Sequence, residues 1–227
     1  FTTTLAAEDW SFDVNPYLWV AGVDAATSRP PSTLPAVDRF DTRISAGAMV
    51  AAQARYRSVG LLLDFAWLQL DTEALHPGPA FSAVDLKSDF IHTTTALTYR
   101  LPLRGKLQTD VLAGARLWYV NEDLEFESGV LPGFEFSGDE TWVDPVIGAE
   151  LRYDLSTRWS LLAKGIVGGF GVSADTAWEV FGGVSYRIAD WCSATAGYRG
   201  LHEEYSRDHF TFDLDAQGFL VGFSLRF

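Results

Sequence analysis

The chain has 227 residues, of which 48 % are hydrophobic and 14 % aromatic, and its formal net charge is −13. This acidity argues against a nucleic-acid-binding protein, which requires clustered Lys and Arg. No run approaches the ~20 consecutive apolar residues of a membrane-spanning helix, and this argues against a helical membrane protein.

The opening residues, 1–9, contain neither the basic segment nor the apolar run of a secretion signal, so we interpret them as the periplasmic N-terminal segment of a processed chain. After them, apolar residues recur at every second position in segments bounded by turn residues, a pattern typical of β-strands. The predicted strands are 10–23, 43–56, 59–72, 86–101, 107–121, 141–154, 158–173, 176–188, 191–205 and 210–227.

The connections between these strands alternate in length. Tight turns are predicted near 55–59, 101–106, 154–158 and 188–191, whereas 24–42, 73–85 and 122–140 are long and rich in Pro, Gly or acidic residues. Transmembrane barrels combine short periplasmic turns with longer extracellular loops. We therefore predict an all-β fold with one domain over 1–227, a transmembrane antiparallel up-and-down β-barrel of about ten strands.

The two faces of the predicted strands differ in chemistry. One face is continuous hydrocarbon, as in the row Val143, Pro145, Ile147, Ala149 and Leu151. A soluble barrel would hold its hydrocarbon inside and its charges outside, so charged residues between such rows indicate a lipid-facing wall around a polar lumen, in the bacterial outer membrane. The predicted lumen charge network consists of Asp13, Arg55, Asp64, Arg100, Asp110, Arg116, Asp144, Glu150, Arg152, Lys164, Glu179, Arg187 and Arg199.

Aromatic residues gather near the strand ends, as expected for rings at the two membrane–water interfaces. One girdle is predicted near the short turns, from Tyr56, Tyr153, Tyr186, Trp191 and Phe227. A second is predicted near the long loops, from Trp67, Trp118, Tyr119, Trp142 and Trp178. Inward-facing rings that would narrow the lumen are expected at Tyr17, Trp19, Phe181 and again Trp118.

The last strand ends in alternating apolar residues and a terminal aromatic residue. Phe223, Leu225 and Phe227 are therefore predicted to be the signal read by the barrel assembly machinery. Earlier in the same strand, Phe210 and its neighbours Phe212 and Leu214 have the opposite alternation. A β-bulge near Gly218 is expected to reconcile the two halves.

Several short runs also resemble a known class of proteins. They are Asn15-Pro-Tyr-Leu-Trp19, Thr141-Trp-Val-Asp-Pro-Val-Ile-Gly-Ala-Glu-Leu-Arg-Tyr153, Leu155-Ser-Thr-Arg-Trp-Ser-Leu161, Gly168-Gly-Phe-Gly-Val172, Gly197-Tyr-Arg199 and the closing Phe227. Together they resemble small proteobacterial outer-membrane β-barrel proteins of the porin-like or OmpW-like class. The resemblance implies a small monomeric barrel in the outer membrane, and it carries over no catalytic residues.

The lumen charges allow two functions. Basic and acidic residues are nearly balanced, and an unpaired charge in a partly dehydrated lumen costs several kcal/mol, so we expect them to pair and plug the barrel. A barrel of about eight strands is filled by its side chains, and ten strands lie close to that limit. A structural or scaffold role is therefore the leading hypothesis, and a narrow channel for small polar or cationic solutes is the alternative.

The predicted outer rim is acidic, and a partner in the cell envelope is expected to bind there, beside contacts with outer-membrane lipid and lipopolysaccharide. A second alternative is a hydrolase at this rim, using His202, Glu203, Glu204, Asp208 or His209. Its histidines form no recognised catalytic pattern and have no zinc-site spacing, so the expectation is a non-enzymatic protein without catalytic residues, metal or cofactor. The acidic residues assigned to the rim are Asp71, Glu73, Glu122, Asp123, Glu125, Glu127, Glu135, Asp139, Glu140, Glu203, Glu204 and Asp208.

Overall fold

A computed structural model describes residues 9–28, 41–75, 81–207 and 210–227, and within these ranges no helix is long and apolar enough to cross a membrane. The all-β prediction is confirmed. The strands are β1 (Trp10–Ser28), β2 (Asp41–Tyr56), β3 (Val59–Leu75), β4 (Phe81–Arg100), β5 (Leu107–Ser128), β6 (Phe134–Asp154), β7 (Trp159–Gly168), β8 (Thr176–Ala189), β9 (Cys192–Arg207) and β10 (Phe210–Arg226).

The strands form a closed antiparallel barrel in which every strand pairs with its neighbour in sequence and β1 pairs with β10. The seam is complete down to the last residue, because Phe12 and Phe227 exchange two backbone hydrogen bonds of 3.2 and 2.9 Å. Closure pairs both terminal strands, as strands in hydrocarbon require, and the β1–β2 register runs from Trp10↔Tyr56 to Pro16↔Val50. We call the end with the connections 57–58, 101–106, 155–158 and 190–191 the short-turn end, and the opposite end the long-hairpin end.

The strands run further at the long-hairpin end than the sequence pattern predicts. The predicted loop 122–140 is wrong for most of its length, because β5 and β6 remain paired from Val120↔Glu140 up to Phe126↔Phe134. Acidic residues and glycine indicate that a segment is exposed, but they do not exclude strand pairing. An exposed hairpin can still form a regular ladder of backbone hydrogen bonds. Conversely, β7 ends at Gly168 instead of 173, since Gly169, Phe170 and Gly171 all adopt positive φ.

The alternation of burial agrees with a wall that presents hydrocarbon outward. Ile147 is 51 % exposed and Val143 46 %, whereas Asp144 between them is fully buried. On the neighbouring strand Val111 and Leu117 are exposed while Asp110 and Arg116 are buried. The outward face is therefore apolar, and the lumen receives the charges.

The predicted bulge near Gly218 is wrong. The register of β10 runs without a shift through Gly218↔Arg199 on one side and Ala21↔Gly218 on the other. Phe210, Phe212 and Leu214 instead face inward, where they are at most 7 % exposed. The alternation changes because the lumen is apolar at this level: here the apolar residues face inward and Thr211, Asp213 and Asp215 face outward, whereas further along β10 the apolar residues face outward.

Gly218 allows a close approach at the seam. A β-carbon at this position would lie 2.0 Å from the Val20 carbonyl oxygen and 2.6 Å from the Ala21 Cα. We expect Gly218→Val to destabilise the barrel by about 1–3 kcal/mol, the usual cost of overpacking. Gly182→Val is the matched control, because a β-carbon there meets nothing within 4 Å. Urea unfolding followed by heat-modifiable gel mobility measures both, and equal midpoints would contradict the tight seam.

Candidate functional site in the lumen

Aromatic side chains fill the lumen toward the long-hairpin end, and we call this group the aromatic closure. Trp142 stacks on Tyr205 with centroids 4.4 Å apart, and it also contacts Phe212 at 5.3 Å and Trp118 at 5.9 Å. Trp118 is 2 % exposed and faces inward, as its position in the alternation predicts. Trp142 is 4 % exposed and also lies in the lumen, so its prediction as an interface girdle residue is wrong. The buried members of the closure are Trp118, Val120, Trp142, Ala174, Leu201, Tyr205, Phe210, Phe212, Leu214 and Ala216.

One connection also folds into this closure. Ala174, between β7 and β8, is fully buried within it, and its backbone N–H donates to Asp144 Oδ1 at 2.7 Å. Ser173 Oγ donates to the Val143 carbonyl at 2.9 Å, which fixes the segment to β6. From its sequence, the Pro-rich segment 29–35 is a candidate for folding back into the lumen, but it lies outside the described residues, as do residues 1–8, Asp208 and His209.

Below the closure lies a group of ion pairs from strands far apart in sequence, which we call the central network. Glu179 on β8 is fully buried and pairs with Arg116, with Lys164 at 2.7 Å and with Arg199 at 3.1 Å. Asp64 on β3 pairs with Lys164 at 3.2 Å and with Arg199 at 3.6 Å. Two carboxylates thus hold three cations across the middle of the barrel.

Uncharged partners complete the central network. The Tyr17 hydroxyl donates to Asp64 at 2.7 Å and accepts from Arg199 Nη1 at 2.9 Å. Arg116 Nε donates to the Thr94 hydroxyl at 3.1 Å. Arg199 also lies over the Trp19 ring at 4.9 Å, a cation–π contact. Because charges with several fixed partners have little freedom to rearrange, the network holds this level rigid.

A cavity of about 540 Å³ occupies the lumen toward the short-turn end, and we call it the vestibule. Asp110 holds Arg55 at 2.7 Å and Arg100 at 2.9 Å on its wall. The predicted lumen residues that line the vestibule are Asp13, Arg55, Asp64, Arg100, Asp110, Glu150, Arg152, Lys164, Glu179, Arg187 and Arg199.

The two remaining predicted lumen residues lie away from the vestibule. Arg116 and Asp144 are both 0 % exposed. Arg116 pairs with Glu179 in the central network, and Asp144 lies one level higher, under the closure.

The short-turn end carries a charge pair outside the strands. Arg57, whose φ is 54°, donates from Nη2 to Asp9 Oδ2 at 2.9 Å and lies over the Tyr56 ring at 5.2 Å. The hydrogen bond from Arg57 lowers the pKa of Asp9. This pair joins the start of β1 to the β2–β3 turn. The predicted assembly-signal residues Phe223 and Phe227 are exposed on the nearby seam.

The rim residues considered for hydrolysis do not share a site. His202 and Glu204 face outward from β9, whereas Glu203 between them is fully buried in the lumen, so its assignment to the exposed rim is wrong. His202 Nδ1 lies 3.0 Å from Asp215 Oδ1, and the Trp178 ring stacks on the imidazole at 5.8 Å. Because β9 and β10 pair in register, His202, Asp213 and Asp215 bring ligand atoms within 4.8 Å of one another, a grouping that sequence spacing does not reveal.

Comparisons with known proteins agree with the fold. No protein-family model and no curated protein matches the chain. The outer membrane protease OmpT from Escherichia coli is similar over 100 % of both chains, with a TM-score of 0.57 and 8 % identity. OprG from Pseudomonas aeruginosa matches 96 % of each chain with a TM-score of 0.39 and 12 % identity. Ail of Yersinia pestis covers 96 % of this chain and 99 % of its own, with a TM-score of 0.37 and 12 % identity. The similarity to OmpT shows that the chain has the fold of an outer-membrane β-barrel protein.

Proposed function

We propose that this protein is a non-enzymatic barrel of the bacterial outer membrane with a closed lumen, and that its role is structural or that of a scaffold for other envelope components. The observation that carries the proposal is the pair of filled levels in the lumen. The aromatic closure lies directly above the central network, and Arg116, Asp144, Glu179 and Glu203 are all 0 % exposed. Buried side chains occupy the lumen at both levels, which supports a lumen closed to hydrated ions.

The chemistry of the two levels supports a permanent closure. A lumen that conducts ions keeps its charges hydrated, because transfer of an ion into a dry site is costly. Here the charges of the central network contact one another, and all but Lys164, which borders the vestibule, are almost fully buried. The aromatic closure adds an apolar barrier on the extracellular side. An ion that crossed it would lose its hydration shell without gaining polar partners, which is energetically unfavourable.

The vestibule supports the alternative of a narrow channel. It is polar, and it opens toward the end that we assign to the periplasm. Small solutes could enter it, but a path to the outside would have to cross both the central network and the aromatic closure. In the closed-lumen proposal, the vestibule is a dead-end water pocket that hydrates Arg55, Arg100 and Arg187.

Planar-bilayer recording tests the closed lumen. We expect the folded wild-type protein to show no steady, reproducible conductance. The double variant Trp142→Ala, Phe212→Ala removes two rings of the closure and should produce brief openings, since the central network then forms the remaining barrier. Arg116→Ala tested alongside reports on that network.

Two results would contradict the proposal. Stable wild-type openings would favour the channel, and a change of ion selectivity in Arg116→Ala would then make the central network part of its path. Folding of every variant is verified by heat-modifiable gel mobility, so that the absence of conductance in an unfolded sample is not taken as evidence of a closed lumen.

The exposed β5–β6 hairpin is our candidate for a scaffold contact. It carries the exposed acidic residues Asp123, Glu125, Glu135 and Asp139 beyond the level of the aromatic closure. A basic envelope partner would bind such a surface with an affinity that falls as salt screens the charges. On the wall, the partners are outer-membrane lipid and lipopolysaccharide, and during assembly the barrel assembly machinery.

The separation of the rim residues supports a non-enzymatic role. General acid–base catalysis needs groups within hydrogen-bond reach of one another and of a substrate. The described candidates divide between the outer surface, where His202 contacts Asp215, and the dry lumen, where Glu203 lies. Hydrolysis of a lipid or peptide that His202→Ala abolishes would overturn this part of the proposal.

A further inference from the structure

Two carboxyl groups meet in the outer half of the lumen. Asp144 on β6 and Glu203 on β9 are each 0 % exposed. They lie on facing parts of the lumen wall, because Trp142, two residues before Asp144 and on the same face of β6, donates to Glu203. One oxygen of each has a fixed donor: the Ala174 N–H binds Asp144 Oδ1 at 2.7 Å, and Trp142 Nε1 binds Glu203 Oε1 at 3.1 Å. The second oxygens, Asp144 Oδ2 and Glu203 Oε2, are buried and have no hydrogen-bond partner.

As described, the two unpartnered oxygens lack a hydrogen-bond donor. An ionised carboxylate only accepts hydrogen bonds, whereas a protonated one also donates. Two unpartnered carboxyl oxygens that are buried in the same part of the lumen are therefore satisfied only if a hydrogen or a cation lies between them. Two carboxylates that share one site favour holding a proton because both cannot easily be ionised together.

The surroundings provide no cation as a direct partner. Arg116 on β5 is the cross-strand partner of Asp144, but its Nη2 donates to Glu179 and its Nε donates to Thr94, while its Nη1 is buried without a hydrogen-bond partner. Among the described residues, no Lys, Arg or His forms an ion pair with either carboxyl.

The other elements around the pair contribute apolar or more distant groups. Glu203 lies beside Ala177 on β8 and Leu214 on β10, its cross-strand partners. His92 on β4 stacks on Trp118 at 4.9 Å, and Glu140 on β6 accepts from the Tyr205 hydroxyl at 3.4 Å. The pair thus occupies a dry pocket between the central network and the aromatic closure.

We propose that Asp144 and Glu203 share one proton and form a buried proton-binding site that latches the aromatic closure. The shared proton joins β6 to β9 across the lumen. Because the Ala174 N–H binds Asp144, the proton also holds the segment 169–175 in the lumen at the long-hairpin end. When the proton is lost, two negative charges face each other without water, and their repulsion loosens these three parts together.

The direction of the pH effect follows from where the proton is held. Once pH rises above the range in which a solvated carboxyl group titrates, the folded protein keeps a proton that the unfolded chain has released, so the unfolded state binds fewer protons until the folded site also loses its proton. Stability then falls as pH rises. The latch is closed at neutral and acidic pH and is weakened under alkaline conditions.

Infrared spectroscopy of the folded protein tests the shared proton. We expect a C=O stretching band of a protonated carboxyl group at neutral pH, and we expect Glu203→Gln to remove it. The Gln amide N–H can donate to Asp144 in place of the proton, so the closure should stay intact. Asp144→Asn should also remove the band, and it serves if Glu203→Gln does not fold.

The matched control is Glu150→Gln, which alters a carboxyl group of the vestibule. The band component lost in Glu203→Gln should persist in this control. Absence of the band in wild type, or its survival in both Glu203→Gln and Asp144→Asn, would overturn the proposal. A band that appears only after treatment with a chelator would show that a metal cation, and no proton, lies between the carboxyl groups.

Thermal unfolding as a function of pH provides the second readout. The wild-type midpoint should fall between neutral and alkaline pH, and the Glu203→Gln midpoint should change less over the same range. Parallel curves for the two proteins would contradict the latch. Neither measurement depends on whether the lumen conducts, so failure of the shared proton and failure of the closed-lumen proposal are distinguishable.

Discussion

Glu179→Gln should lower the free energy of unfolding by roughly 3–5 kcal/mol, the range observed when one member of a buried ion pair is removed. Glu179 is 0 % exposed and binds Arg116, Lys164 and Arg199. Its neutralisation would leave the three cations with Asp64 as their nearby anion, in a place that water does not reach. Reversible unfolding in urea, with folded and unfolded protein separated by gel mobility, measures the loss.

Asp154→Asn is the matched control for Glu179→Gln, since it makes the same carboxylate-to-amide change at the short-turn end. Asp154 binds Arg152 at 3.1 Å, with side-chain exposures of 34 % and 27 %. Partly exposed pairs of this kind contribute up to about 1 kcal/mol. If both variants lost the same small free energy of unfolding, the central network would contribute no more to barrel stability than a partly exposed ion pair does.

The second large effect is expected on the lipid-facing wall. Ile147 is 51 % exposed on the outer face of β6, and its cross-strand neighbours Ala113 and Val167 also face outward. Ile147→Arg should cost roughly 2–4 kcal/mol, the cost of an Arg side chain near the bilayer midplane. Folding into lipid vesicles, followed by urea titration, gives this value.

Val130→Arg provides the comparison for Ile147→Arg. Val130 is 82 % exposed in the β5–β6 connection at the long-hairpin end, where we expect water instead of lipid. Arginine there should leave stability nearly unchanged. Normal folding and stability of Ile147→Arg in lipid would show that the assignment of the wall to hydrocarbon is wrong.

Alternation alone was sufficient to predict the fold. Rows such as Val143 to Leu151 carry hydrocarbon at every second position and charge between, a pattern that indicates a strand and separates its two faces. Tight turns such as 57–58 then mark where one strand ends and the next begins. The ten strands and their antiparallel order follow from these local signals, and the structure confirms them.

Alternation did not show which face of a strand points into the lumen where the apolar face turns inward. Phe210 and Phe212 carry the same hydrocarbon as lipid-facing residues, so the sequence could not show that they lie in the lumen. Trp142 was assigned to the interface for the same reason, because an indole suits a membrane–water boundary as well as a packed interior. The sequence pattern predicts strands that are too short at the long-hairpin end, because acidic residues are common both in loops and on exposed strands.

The sequence by itself determined that the chain forms a barrel with hydrocarbon outside and charge inside, because a strand repeats every two residues and displays its faces locally. Only the tertiary structure decided which charges meet. Lys164 reaches Asp64, a hundred positions away, and Glu203 meets Asp144 because closure of the barrel brings β9 across from β6. Such partners depend on register, tilt and diameter, which are set by all ten strands together and are encoded in no single segment.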